Sequence, residues 1–168
     1  MTEIHPFGNF VPKNAKYLIL GSFPGKPDES YDWFYSNKRN QFWLILGKVY
    51  KQKLDTKEKK QKLFRRLKIA ITDIIFSCER KKNSNLDTNL VNITYNVNAI
   101  QKILETQKIE RIFFTSRFVE KLFKKAFPDY LNLFPTTYQY LLPSPSPRYA
   151  RMSLTDKVIE YKKLLPSY

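Results

Sequence analysis

A glycine-flanked turn follows the first apolar run of the sequence. Residues 21–25 read Gly-Ser-Phe-Pro-Gly and include two of the four glycines in the chain. Glycine permits positive φ and lets a ligand approach the backbone closely, so Gly21 and Gly25 would allow a ligand to bind here. Taken alone, the motif favours an ordinary strand-to-loop turn. The motif lacks the Gly-Lys-Ser/Thr ending of a Walker loop. Phe23 would either present its ring to a ligand or, as in an ordinary strand-to-loop turn, pack into the core.

The loop that comes next combines aromatic rings with cations. The aromatic residues and cations of this loop, which precede the start of a helix, are Tyr31, Trp33, Phe34, Tyr35, Lys38 and Arg39. Rings in a loop can stack on bases while neighbouring cations hold phosphates. Asn40 follows them and suits the N-cap of the helix. The carboxylates of Asp28, Glu29 and Asp32 would supply a general base, or would simply be solvated.

A stiff loop carries cations after the last apolar run. Residues 143–151, Pro-Ser-Pro-Ser-Pro-Arg-Tyr-Ala-Arg, are called here the proline–serine loop. Proline fixes φ and removes a backbone donor, so this loop is rigid and cannot join the sheet that it leaves. It exposes Arg148, Tyr149 and Arg151 at one edge of the molecule.

Apolar runs separated by helical patterns predict the elements that position these residues. The runs that predict strands are 16–20, 69–75, 109–115 and 138–142, and helical patterns cover 40–50, 56–68, 97–104, 118–126 and 153–165. Asp55 with Glu58, and Ser153 with Asp156, are predicted capping pairs. The order predicts a single α/β domain over residues 1–168, with three αβα layers and a central, mainly parallel four-stranded sheet. Ligands bind such folds beyond the C-terminal ends of the strands, which selects the glycine turn and the proline–serine loop.

Composition restricts the possible partners. The formal net charge of +15 over 168 residues favours a polyanion, although a lysine-rich surface unrelated to binding would produce the same charge. No apolar run approaches the length of a membrane span, and the N-terminus lacks the apolar core of a signal peptide. We therefore expect a cytoplasmic protein that acts as a monomer and binds no membrane.

The single cysteine and single histidine restrict the possible chemistry. One cysteine excludes a disulfide framework, and one histidine argues against a histidine-based zinc site or a serine–histidine relay. His5 lies near an N-terminus that we expect to be loose, and no role is predicted for it. We expect neither a metal nor a cofactor, so that carboxylates, amides, hydroxyls or backbone groups must carry any reaction.

The motifs together resemble a known family. "LILGSFPG", "FYSNKRNQFW", "TDIIFSCERKKNSNLDTNL" and "LPSPSPRYARMSL", in this order, are similar to the uracil-DNA glycosylase superfamily. Within it they most resemble the hypoxanthine-DNA glycosylase branch, with the mismatch-specific thymine/uracil glycosylases as relatives. The resemblance extends over nearly the whole chain.

The resemblance implies an enzyme that flips a deaminated base, hypoxanthine or uracil, out of DNA and hydrolyses its N-glycosidic bond. It implies a base pocket formed by Gly21, Ser22, Phe23, Pro24, Gly25, Phe34 and Tyr35. It implies DNA contacts from Lys38, Arg39, Ser144, Ser146, Arg148, Tyr149 and Arg151. In the hypoxanthine branch the catalytic asparagine lies in the block that corresponds to "RNQFW", which assigns catalysis to Asn40.

The chain also departs from the family. Phe23 stands where many relatives have an asparagine or aspartate that directs water, and Leu142 stands where the last motif often begins with histidine or asparagine. Arg148 and Tyr149 replace the small residue and asparagine of the hypoxanthine branch. Two alternatives therefore stay open: a non-catalytic nucleic-acid-binding protein on the same fold, and a hydrolase of free nucleosides or nucleotides.

Overall fold

A computed structural model describes residues 1–26 and 31–168. The strands are β1 (Thr2–Ile4), β2 (Tyr17–Gly21), β3 (Ile69–Asp73), β4 (Ile75–Arg80), β5 (Leu90–Tyr95), β6 (Arg111–Phe114) and β7 (Tyr138–Leu141). The helices are α1 (Phe42–Tyr50), α2 (Lys57–Leu67), α3 (Val97–Thr106), α4 (Arg117–Ala126), α5 (Tyr130–Leu133) and α6 (Leu154–Leu164). None of the helices in these two ranges is long and apolar enough to cross a membrane.

A parallel four-stranded sheet in the order β3-β2-β6-β7 forms the centre of the molecule. Side chains alternate between its faces, as the pleat of a strand requires. In β2, Leu18 and Leu20 pack with α3 and α4, whereas Ile19 packs with α1, α2 and α6. The predicted αβα layers and four-stranded parallel sheet are therefore confirmed.

A second, antiparallel sheet in the order β1-β4-β5 was not predicted. The apolar run at residues 69–75 does not belong to one strand, because β3 ends at Asp73 and β4 begins at Ile75 in the other sheet. β1 pairs with β4, so the N-terminal segment is held in place. The expectation of a loose N-terminus was wrong.

Two predicted helix caps lie a residue away from their observed positions. Gln41, not Asn40, is the N-cap of α1, and its side chain makes no capping bond. Thr56, not Asp55, is the N-cap of α2, and its hydroxyl accepts a hydrogen bond from the Lys59 backbone N–H. Asp55 instead pairs with the ammonium groups of Lys53 and Lys59. The predicted cap of α6 is confirmed, since the Ser153 hydroxyl accepts from the Asp156 N–H at 3.1 Å.

Candidate active site

A cavity of about 830 Å³ lies beyond the C-terminal ends of the parallel strands. Its walls come from residues 22–25, from the loop of residues 31–40 that precedes α1, from the segment between β4 and β5, and from the proline–serine loop. Asp73 at the end of β3, and Thr115 and Ser116 after β6, also line it. The structure thus brings the sequence motifs together at one end of the central sheet. Cavities of several hundred Å³ hold small ligands, and a nucleobase is well within that size.

Most of the predicted site residues line this cavity: Ser22, Phe23, Pro24, Gly25, Phe34, Tyr35, Lys38, Arg39, Asn40, Ser144, Ser146, Arg148 and Tyr149. Gly21 lies at the end of β2 beneath them, and Arg151 is exposed outside the lining. Trp33 is also outside, because its ring is buried and stacks on Trp43.

Close packing, and not a positive φ, explains why the residue at position 21 is a glycine. Neither Gly21 nor Gly25 has a positive φ, so this part of the prediction was wrong. A Cβ atom on Gly21 would collide with the hydroxyl of Tyr35 and the carboxylate of Asp73. Glycine is therefore needed at position 21 so that these two polar groups can approach the backbone of β2.

The segment between β4 and β5 holds the glycine turn in its shape. Asp87 accepts from the Ser22 hydroxyl at 2.8 Å, and Arg80 donates to the Pro24 carbonyl at 3.0 Å. The Arg80 guanidinium also pairs in bidentate fashion with Glu3. Burial raises the pKa of Asp87. The antiparallel sheet therefore serves as a brace for one wall of the cavity.

Tyr35 is held in an unusual backbone conformation beside the cavity. Its φ of 57° lies in the left-handed region, which costs a non-glycine residue on the order of 1 kcal/mol. Its ring stacks on Phe42 with centroids 4.2 Å apart, and its hydroxyl bonds to Thr115 Oγ1 at 2.8 Å. Burial, and secondly the charge of Asp73, raise the pKa of Tyr35 well above its usual value. Tyr35 is thus a fixed, protonated phenol.

Asn40 uses one end of its amide locally. Its side-chain Oδ1 accepts a hydrogen bond from the Phe42 N–H at 2.9 Å at the start of α1. Its backbone N–H donates to the Asn37 carbonyl at 2.9 Å. The bond to Oδ1 holds the side-chain amide against the start of α1. No described residue accepts a hydrogen bond from the side-chain NH₂ group of Asn40, which lines the cavity. This NH₂ can therefore donate to a ligand.

The proline–serine loop is anchored on α1 and α6. The Tyr161 hydroxyl donates to the Pro143 carbonyl at 2.7 Å, and the Gln41 N–H donates to the Pro145 carbonyl at 2.9 Å. The buried Lys157 ammonium donates to the Ser146 carbonyl at 3.0 Å. Burial lowers the pKa of Lys157. The rigidity predicted from the prolines is reinforced by these bonds, while Arg148 stays exposed.

A buried histidine–aspartate pair that no sequence motif indicated lies at the cavity. His5 Nε2 lies 2.7 Å from Asp73 Oδ2, and the two side chains are only 5% and 6% exposed. Asp73 lines the cavity. Position in the chain predicted no role for His5, because it lies close to the N-terminus. The signal that points to the pair is an acidic residue, Asp73, inside the apolar run at residues 69–75.

The three carboxylates that the sequence offered as a general base are not found at the cavity among the described residues. Asp28 and Glu29 lie outside the described residues. Asp32 does not line the cavity, and its carboxylate lies 3.8 Å from the Lys60 ammonium. Within residues 1–26 and 31–168, no group of three or more histidine, cysteine, aspartate or glutamate side chains is placed to hold a metal ion.

Comparisons with known proteins agree with this architecture. The family model of the uracil DNA glycosylase superfamily matches residues 7–165. A hypoxanthine DNA glycosylase from Methanosarcina barkeri (strain Fusaro / DSM 804) is 29% identical over 81 residues, which are 47% of this chain and 51% of that protein. The matched region thus spans about half the length of this curated relative.

A solved structure shares the fold. It is a solution NMR structure of a Methanosarcina acetivorans protein proposed to be a uracil DNA glycosylase, with a TM-score of 0.66 and 23% sequence identity. The superposition covers 98% of this chain and 99% of that one. Since the family model extends over nearly all of the sequence, the chain belongs to the uracil DNA glycosylase superfamily.

Proposed function

We propose that this protein is a monofunctional DNA glycosylase of base excision repair, which flips a deaminated base out of duplex DNA and hydrolyses its N-glycosidic bond. The observation that carries this proposal is the single cavity that unites the glycine turn, Asn40 and the proline–serine loop. Hypoxanthine and uracil are the proposed bases, and the relative from M. barkeri supports the former.

The walls of the cavity suit a flipped base. Phe23, which is half-buried, offers apolar ring surface for stacking, and the fixed phenol of Tyr35 offers a polar edge. Phe34 is only 1% exposed, so it supports the wall of the cavity from the core and does not present its ring as was predicted. Aromatic stacking is worth about 1–3 kcal/mol per base, which offsets part of the cost of unstacking. Backbone N–H groups between Ser22 and Gly25 are proposed to stabilise the negative charge that the base acquires as it leaves.

Asn40 is the proposed catalytic amide. An amide does not titrate near neutrality, so its contribution is positioning and hydrogen bonding. Because Oδ1 already accepts from the Phe42 N–H, the NH₂ group is the end that is free to donate to the departing base. The second lone pair of Oδ1 can still align the attacking water toward C1′ of the sugar.

The proline–serine loop is the proposed DNA clamp. Its carbonyls are held from behind by Gln41, Lys157 and Tyr161 before any DNA arrives, so that docking loses little ordering entropy. Lys38, Arg39 and Arg148 are exposed cations that line the cavity, and we propose that they contact phosphates. The exposed Arg151, which lies outside the lining, is a further proposed phosphate contact. Tyr149 or Arg148 is the proposed wedge that fills the space of the flipped base.

A non-catalytic nucleic-acid-binding protein is the second candidate. Phe23 favours it, because a phenyl ring in the glycine turn has no group that can direct water. The two candidates differ in one measurement: release of the base from a duplex that carries a single hypoxanthine or a single uracil. A glycosylase would leave an abasic site in an intact strand, whereas a protein that only binds would leave the base attached to the DNA. Binding without release from either duplex would refute the proposed function.

A further inference from the structure

We propose that Asp73, oriented by His5, is a second catalytic group of this site, namely the carboxylate that accepts the proton of the attacking water. This inference rests on the proposed glycosylase function and assigns a role to a residue pair that the sequence motifs did not indicate.

Asp73 lies where a reacting group is expected in this fold. It is the last residue of β3 and is directly opposite Gly21 in the parallel pair with β2. Its residue surface is 4% exposed, and what remains accessible faces the cavity. The bare backbone of Gly21 leaves room for Oδ1, since a Cβ atom there would occupy that space.

One carboxylate oxygen is held and the other is available. The His5 Nδ1 accepts from the Phe7 N–H at 3.2 Å, so the proton of the neutral ring is on Nε2 and is donated to Asp73 Oδ2 at 2.7 Å. No described residue donates to Asp73 Oδ1. Bound water is the donor that this oxygen can accept from.

The nearby phenol does not compete for this oxygen. The Thr115 hydroxyl donates to the Leu20 carbonyl at 3.1 Å, so at its bond with Tyr35 it accepts the phenolic proton. Tyr35 therefore has no proton left for Asp73. The phenol instead limits the space around Oδ1, which favours a small partner such as water.

The position of His5 is built into the fold. β1 pairs with β4, and the His5 N–H donates to the Phe76 carbonyl at 2.9 Å. The His5 ring also contacts Phe23 and Phe34, at centroid distances of 5.7 and 5.4 Å. Burying a carboxylate beside a ligand cavity costs desolvation free energy that apolar packing would avoid.

The carboxylate complements what Asn40 cannot do. An amide orients water but does not take up its proton, whereas a carboxylate acts as a general base. In the proposed step, the water oxygen bonds to C1′ and the C1′–N bond breaks. The bonding electron pair leaves with the base, and the water proton passes to Asp73 Oδ1. Asp73 then returns the proton to solvent, and the anionic base takes up a solvent proton, which yields an abasic sugar and the free base.

The test is single-turnover base release from a duplex with one hypoxanthine by Asp73→Asn. The amide oxygen still accepts from His5, so folding is expected to persist, while the general base is lost. We expect base release to slow by about 10²- to 10⁴-fold, the range for general-base catalysis, with DNA affinity and melting temperature near those of the wild type. Asp55→Asn, an exposed carboxylate outside the cavity, is the matched control and should keep the wild-type rate.

Rescue of Asp73→Ala by formate provides an independent test. It can be carried out even if Asp73→Asn does not fold. Formate is a carboxylate small enough for the vacated space, and it should raise the base-release rate of Asp73→Ala in a concentration-dependent way. His5 is tested as a positioning residue: His5→Ala should slow the wild type but should add nothing in the Asp73→Asn background. A merely structural His5 would slow release in both backgrounds.

The outcomes separate this inference from the function on which it rests. If the wild type releases neither base, the proposed function fails. If the wild type releases a base and Asp73→Asn stays within about threefold of its rate, only the role of Asp73 is overturned. A loss of rate that accompanies an equal loss of DNA binding, or the absence of formate rescue, also overturns it.

Discussion

Replacing Asn40 with aspartate separates its side-chain bond to the start of α1 from its proposed part in the reaction. The Asn40 Oδ1 accepts from the Phe42 N–H at 2.9 Å, and an aspartate oxygen in the same place keeps this bond. The first turn of α1 contains no acidic residue, so the new negative charge at the helix N-terminus should add about 0.3–1 kcal/mol of stability. The NH₂ group that faces the cavity is lost at the same time.

The two effects should therefore have opposite signs. Removing one donor from a charge-stabilising site typically costs about 10²- to 10³-fold in rate, so Asn40→Asp should release base much more slowly while it melts at an equal or higher temperature. Asn40→Ala loses both the bond from the Phe42 N–H and the NH₂ donor. It should lose about 1 kcal/mol of stability, which lowers the melting temperature by about 2–4 °C, and it should also lose base release.

Single-turnover base release and thermal unfolding, measured on the same preparations, provide the test. The control is Thr56→Ala, which removes the N-cap of α2, a helix that does not contribute to the cavity. It should lose a similar amount of stability and keep the wild-type rate. Base release by Asn40→Asp at the wild-type rate would refute the reasoning, because it would show that the Asn40 side chain serves only to hold the start of α1.

Three further changes test the surroundings of the site. Replacing Arg148 and Arg151 with alanine should weaken binding to all duplex sequences alike and reduce the salt slope of log affinity by about one per lost phosphate contact; an unchanged slope in a salt titration would contradict this. Gly21→Ala should lower the free energy of unfolding by about 1–3 kcal/mol, because its methyl group collides with the Tyr35 hydroxyl. If urea unfolding gives this variant the wild-type stability, the turn can shift to accommodate the methyl group. Lys157→Met leaves buried acceptors unpaired, so it should lower the free energy of unfolding in urea by about 1.5–3 kcal/mol and should weaken DNA binding. Intact DNA binding would show that Lys157 is not needed to hold the proline–serine loop.

The parallel sheet and its helices could be predicted from local patterns. In β3 every residue is buried, so a short apolar run is enough to identify the strand. The helices have apolar residues on one face, and hydroxyl caps such as Ser153 mark their starts. The motifs at the ends of β2 and β7 could be placed at one cavity because carboxyl ends of parallel strands meet at the same edge.

The antiparallel sheet could not be predicted in this way. Only Ile74 separates β3 from β4, and hydropathy does not record that the chain changes sheets at this residue. The exposed Phe76 within β4 further obscures the pattern. The brace that this sheet provides for the glycine turn therefore became visible only in the folded chain.

Tertiary structure alone decided the polar pairs of the site. His5 and Asp73 are 68 positions apart, and they meet because β1 pairs with β4 while Asp73 ends β3. Lys157 and Gln41, 116 positions apart, meet beneath the proline–serine loop in the same way. Sequence determines which residues favour strands, turns and caps, since those preferences act over a few neighbours. Which distant polar groups share a buried contact depends on sheet register and on the packing of the whole chain, and no local pattern encodes it.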